Sequence, residues 1–171
     1  MNFNLQLFAE AVQGKQIVYL FRVLGKSAAA TAMAFTTENE RSMSNEGDII
    51  ETKDGGINIP KIETEISSTA ILAKGDTLAD ELEDAMVNGD KIEIWEANLA
   101  EPEGENSNKF KGRYMQGYLT EFTLSASAED HAEYQCTFNV DGAGVKGPVT
   151  VTAAQQEIFN YAFTDTTATG A

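Results

Sequence analysis

The stretch KFKGRYMQGYLTEFTL (109–124), SASAED (125–130) and HAEYQCTFNV (131–140) decides the fold. In its second arm Tyr134, Cys136, Phe138 and Val140 alternate with Gln135, Thr137 and Asn139, the period-2 pattern of a half-buried strand. In the first arm Tyr114, Tyr118, Phe122 and Leu124 share one parity, interrupted by the polar Gln116, Thr120 and Thr123. The Ser, Ala, Glu and Asp residues of Ser125–Asp130 favour a turn. Two strands of this length form a hairpin that needs a sheet beside it and an apolar layer against one face.

Working outward on the N-terminal side, Lys91–Leu99 reads as a strand with Ile92 and Ile94 on one face and Trp95 on the other. Residues 76–88 form the one clear helix, with Leu78, Leu82, Ala85 and Met86 on one stripe. Thr77 with Asp80 predicts a capping box, and Gly89 a left-handed stop. Before the helix, residues 37–65 read as a long, polar, acidic hairpin turning at Asp54-Gly55-Gly56 and projecting from the domain. Such a hairpin is either flexible or completed by another chain. Ser27–Phe35 is alanine-rich, which favours helix, but its short length and its Phe-Thr-Thr ending predict a strand. Lys15–Leu24 is almost continuously apolar, as in a strand covered on both faces.

At the ends, residues 1–14 make an apolar arm carrying Phe3, Leu5, Leu7 and Phe8, which docks either on its own domain or on a neighbour. Beyond the central hairpin come a turn at Gly142–Gly147, a short strand at Val149–Thr152, a closing segment with Ile158, Phe159 and Phe163, and a frayed tail at 164–171. The fold class is therefore mainly β, a sandwich or barrel-like core over residues 15–163 with one flanking α-helix.

The 171 residues suffice for one domain with a sizeable core, and 42% hydrophobic with 23% charged residues is ordinary for a globular chain. The net charge is not ordinary: 12 Lys+Arg against 27 Asp+Glu leave −15. That balance opposes gripping nucleic acid or an anionic membrane, both of which need clustered cations. It is also uneven: residues 76–105 are strongly acidic, whereas Lys109, Lys111 and Arg113 make the following stretch mildly basic. A domain with one acidic and one basic side suits contacts with copies of itself.

Chemistry is hard to find. Cys136 and His131 are single, so neither a disulfide, nor a zinc site, nor a triad can be assembled. Phosphate-loop and dinucleotide motifs are absent, and the paired carboxylates are what chance spacing gives in so acidic a chain. The chain reads as no enzyme, with no cofactor and no metal. The start lacks the basic and apolar regions of a signal peptide, so synthesis and residence in a cytoplasm are expected.

The order of elements, with particular strings along it, resembles the major tail protein (tail tube protein) of long-tailed bacteriophages of the TP901-1 type. The strings are Gly14-Lys15 leading into Val18–Arg22, Thr52–Gly55, Lys91–Glu96, Tyr114–Thr120, Ser127–Asp130 and Phe138–Gly142. The resemblance spans about residues 14–166. It implies hexameric rings in which long hairpins from each subunit join one inner barrel, and stacking of those rings into the conduit for DNA ejection. It implies as partners the tape measure protein, the tail initiator or distal tail protein, the tail terminator, and DNA that passes without specific binding. Assembly would take place in the bacterial host cytoplasm, with the product in the virion tail.

Under that reading Glu38, Glu40, Arg41, Glu46 and Asp48 are candidates for the lumen or the ring contact, unless these acids simply solvate a loop. Phe3, Leu5, Leu7, Phe8, Ile158, Phe159 and Phe163 are candidates for contacts between rings. The alternatives are the tube of a contractile injection or type VI-like system, and a monomeric β-sandwich binding module. The module would show a cluster of exposed aromatics, where this chain has a single tryptophan.

Overall fold

The computed structural model describes residues 9–105 and 108–159, with side chains to 156. Strands β1 (Ile17–Val23), β2 (Thr36–Asn45), β3 (Asp48–Thr52), β4 (Gly55–Ile59) and β5 (Ile62–Ile71) precede helix α1 (Thr77–Asn88). After it come β6 (Ile92–Pro102), β7 (Lys109–Ser125), β8 (Glu133–Val140), β9 (Val145–Thr150) and helix α2 (Ala153–Phe159). The main sheet runs β1-β6-β7-β8-β5-β2, with β9 also paired to β7, and β3-β4 is a separate two-stranded sheet. Every pairing is antiparallel.

Strand β7 is the spine. Its first half lies between β6 and β9, and from Gly117 onward it pairs with β8 instead. Gly117 sits at the changeover, opposite both Ile92 and Val140. A Cβ there would fall 2.3 Å from the Asn139 carbonyl oxygen, so only glycine lets the strands approach this closely.

One face of the sheet holds the main core. Phe21 stacks on Phe138 at 5.0 Å between ring centres, and Ile66, Ile92, Ile94, Met115 and Tyr134 fill the space around them. Helix α1 adds Leu78, Leu82 and Ala85 to this layer. Its cap is Asp76, which accepts from the Leu78 and Ala79 amides at 3.0 and 3.2 Å, whereas the Thr77-based box does not form. Aspartate caps at least as well as threonine and lies one residue earlier, so it takes the amides first. Asp76 also accepts from the Tyr134 hydroxyl at 3.2 Å, which fastens the helix start to β8. Gly89 closes the helix at φ 74°, the left-handed geometry expected of a glycine stop.

A second apolar layer lies on the opposite face of β1, β6 and β7, where Val18, Leu20, Ala97, Leu99, Phe110, Val149 and Val151 are buried. Strand β1 is therefore covered on both sides, as its unbroken apolar run requires.

Two expectations are corrected. Ser27–Phe35 is not a strand: it is an irregular crossing with one bridge, Thr31 to Phe21, and it ends with Phe35 at φ 49°. Within it only Met33 is fully buried, so there is no apolar face for a ladder to cover. In β7 the shared parity of Tyr114, Tyr118, Phe122 and Leu124 is broken by a bulge between Leu119 and Glu121. The extra residue, Thr120, reverses the alternation. Tyr114 and Tyr118 thus stand on the face away from the main core, while Phe122 and Leu124 stand opposite Cys136 and Tyr134 on its side.

Candidate assembly interface

Four strands, β2, β5, β8 and the distal half of β7, form a sheet with no partner on either flank among the described residues. Strand β2 pairs only with β5, and β7 beyond Gly117 pairs only with β8. Both flanks present unused backbone donors and acceptors over comparable lengths, the ten residues of β2 and residues 118–125 of β7. Open edges of this size invite pairing with another chain. Because each neighbour in the series is antiparallel, β2 and β7 run in opposite directions. A second copy laid beside the first would present its β2 antiparallel to this β7.

The two faces of this sheet differ sharply. On the core side the flanks carry apolar groups that stay partly uncovered: Met43 on β2 is 40% exposed and Leu124 on β7 is 56% exposed. The other face is polar. By register, Glu38, Glu40 and Ser42 of β2 stand with Glu65, Ser67 and Thr69 of β5. Glu133, Gln135, Thr137 and Asn139 of β8, and Glu121 and Thr123 of β7, continue that face. The Gln135 amide donates to the Ser67 hydroxyl at 3.0 Å across it. These strands contribute no lysine or arginine to the face, since their one cation, Arg41, lies opposite Ile66 on the core side.

Arg41 holds β2 to the far end of the sheet. Its guanidinium donates to the Glu96 carboxylate at 2.7 and 3.3 Å, and the Tyr19 hydroxyl donates to the same carboxylate. Strands β1, β2 and β6 are thereby joined although β1 and β2 form no ladder. The hydrogen bond to Glu96 raises the Arg41 pKa, and burial pushes the Tyr19 phenol up. A second joint lies on the opposite face. Arg22 meets Glu93 at 2.6 Å and lies over the Trp95 ring at 5.0 Å, while the Tyr114 hydroxyl donates to Glu93 at 2.8 Å. The Arg22 hydrogen bond lowers the Glu93 pKa below the usual carboxylate range.

Of the residues singled out from sequence, the fold brings Glu38 and Glu40 together on the exposed polar face. Arg41 is turned to the other side. Glu46 and Asp48 are exposed where β2 passes into the β3-β4 tip. Phe3, Leu5, Leu7, Phe8 and Phe163, the arm over residues 1–8 and the tail over 164–171 lie outside the described residues. Ile158 and Phe159 fall in α2, described as backbone. Glu65, Glu121 and Glu133 were not singled out. The alternation of residues 63–69 carried a signal for Glu65, but Glu121 is assigned to this face only once the bulge is known.

A sheet with open flanks, a polar face and exposed apolar edge residues suits a subunit of a self-assembled β structure. Comparison with known proteins specifies which. A family model described as phage tail tube protein matches residues 11–146. A protein described as a tail protein of Staphylococcus phage phiMR25 is 36% identical over 156 residues, covering 88% of this chain and 80% of the relative. The fold is similar to the SPP1 tail tube structure, with TM-score 0.71 at 20% identity over 94% of this chain and 95% of that one. It is also similar to the tail of an empty gene transfer agent particle refined with C6 symmetry, with TM-score 0.57 at 14% identity over 83% and 100% of the two chains. The chain belongs to the phage tail tube protein family, and it is a structural component of the virion tail.

Proposed function

We propose that copies of this chain close into a hexameric ring by pairing β2 of one copy with the distal half of β7 of the next, and that the rings stack into the tube through which DNA is ejected. The observation that carries this reading is the pair of open, oppositely directed flanks on one four-stranded sheet. Pairing them satisfies the backbone groups that a monomer leaves to water. It also brings Met43 beside Phe122 and Leu124 of the neighbour, on the same face, and extends the apolar layer across the joint. Six copies follow the C6 symmetry of the similar gene transfer agent tail.

In such a ring the polar face lines the lumen. Glu38 and Glu40, with Glu65, Glu121 and Glu133, then form an acidic wall to which these four strands add no cation. Such a wall repels phosphates, so DNA slides along it without being held. Arg41 acts from behind the wall by holding β2 in place, and Glu46 and Asp48 stand near the ring contacts. The tape measure protein, the tail initiator or distal tail protein and the tail terminator are the expected partners of the tube, and assembly is expected in the host cytoplasm. Phe3, Leu5, Leu7, Phe8, Ile158, Phe159 and Phe163 remain candidates for contacts between rings.

Two measurements test this reading. Negative-stain microscopy of concentrated protein should show rings or tubes with a central channel. Amide groups alternate in direction along a strand, so one of Ser42 and Met43 points its amide away from β5. Proline there should leave a folded monomer that forms no ring, whereas proline at the other position should damage the monomer. Rings formed by both variants would overturn the edge pairing.

A further inference from the structure

Two charged surfaces of this domain are only partly neutralised among the described residues. On the sheet, Lys109, Lys111 and Arg113 alternate along β7, and Lys146 of β9 stands directly opposite Arg113, so the four cations share one face. These are four of the chain's 12 Lys+Arg. Like charges directly opposed in a strand pair weaken it. Relief is partial: Lys111 reaches Glu101 at 3.6 Å, Glu96 of β6 stands opposite Arg113 in the ladder, and the Arg113 guanidinium donates to the Ala143 carbonyl. Lys109 and Lys146 form no ion pair among the described residues.

The second surface is the outer side of α1. Asp80, Glu83 and Asp84 are exposed there, away from the buried Leu78, Leu82 and Ala85. Asp80 and Asp84 are one turn apart, where like charges repel. Lys26 reaches only Glu81, at 3.5 Å, and the last turn of the helix holds no basic residue.

We propose that the basic face of β7 and β9 docks on the acidic face of helix α1 of a second copy of this chain. Spacing permits it: alternate strand residues repeat at about 6.6 Å and helix residues one turn apart at about 6 Å. The cation row and the Asp80–Asp84 row therefore run in step. Charge explains why the occupant is another copy. At −15 per chain, subunits repel one another at long range, and a matched pair of opposite patches supplies local attraction and fixes orientation. Each copy carries both halves on different surfaces, so the contact is heterologous and propagates from copy to copy. The docking deepens the tube reading in needing neighbouring copies, but it is independent of the strand-edge pairing.

The test is charge reversal with rescue, read by analytical ultracentrifugation of the full chain. One variant carries Lys111→Glu with Lys146→Glu, another Glu83→Lys with Asp84→Lys, and a third all four changes. Each double variant should self-associate about tenfold more weakly than the parent, the effect of exchanging two surface ion pairs for repulsion. The fourfold variant should recover the parent's association. Thermal melts at a concentration where all are monomeric should coincide. Double variants that associate like the parent would overturn the docking and leave the ring in place. So would a fourfold variant that stays weak, or a loss confined to the lysine variant, which would point to a different acidic surface. A parent chain that never associates would overturn both the docking and the ring.

Discussion

Helix α1 with β1, β6 and β8, and the hairpin of β2 with the β3-β4 tip, are two regions of one domain built on opposite terms. In the first, β1 is buried on both faces, most of β6 is covered, and every second residue of β8 is buried. In the second, β2 is mostly exposed, and every residue of β3 and β4 is exposed, including Ile49, Ile50, Ile57 and Ile59. The tip sheet has only two strands, an arrangement that is marginal in water without a layer against it. The first region satisfies itself. The second is held on one side by β5 and the Arg41 joint, and its other edge is open among the described residues.

The contrast can be broken at its strongest point. Phe138 is fully buried and stacked on Phe21, so Phe138→Ala leaves a cavity in the self-sufficient region. Denaturant unfolding of the monomer should lose about 3–5 kcal/mol, enough to unfold a marginal domain. A loss below 1 kcal/mol would mean that this layer does not carry the fold.

Next comes the joint between the regions. Arg41→Ala removes two charge-assisted hydrogen bonds to Glu96 and leaves that carboxylate with Tyr19 alone. The expected cost is about 1.5–3 kcal/mol. Hydrogen exchange should localise the loosening to β2 while amides of β1 and β6 keep their protection. Uniform loss of protection would make Arg41 part of the general core instead of a hinge pin.

A smaller effect is expected from acid. Glu93 is held below the ordinary carboxylate value of 4.5, first by the Arg22 hydrogen bond and further by that of Tyr114. Its folded pKa is depressed, so the stabilisation is fully present above that ordinary value and is lost as pH falls through the folded one. Glu93→Gln should flatten the acid limb of the stability profile, measured by chemical unfolding at stepped pH. An unchanged limb would assign acid sensitivity to other carboxylates.

How much of this was legible in the sequence follows the same division. Helix α1 and its Gly89 stop, the buried β1 and the two faces of β6 are written locally, in spacing and in a single glycine, and they could be read directly. The parity of β7 could not, because the bulge at Thr120 is set by how β8 lies beside it and no turn residue marks it. Arg41 was grouped with Glu40 as one acidic-hairpin surface. Adjacent residues on a strand face opposite ways, and only the pairing with Ile66 tells which of the two looks toward the core. The strand read into Ser27–Phe35 failed because alanine fits an irregular crossing as well as a ladder. The open flanks are a property of pairing order, which a single chain's periodicity does not encode.

The smallest effect on the monomer sharpens the comparison most. Ile50 and Ile57 face each other across the tip, 49% and 56% exposed, with Ile59 beside them on the same face. Replacing Ile50 and Ile57 by threonine keeps the β-branched shape that suits a strand and removes apolar surface that already lies in water. Monomer stability should therefore change by less than about 0.5 kcal/mol. If neighbouring copies complete the tip, the same change should raise the protein concentration needed for tube formation, followed by light scattering and microscopy. A destabilised monomer with unaltered assembly would reverse the assignment, making the tip a self-sufficient element whose isoleucines hold each other. Unaltered stability together with unaltered assembly would mean that the tip is neither covered nor needed, and the contrast between the two regions would end at the Arg41 joint.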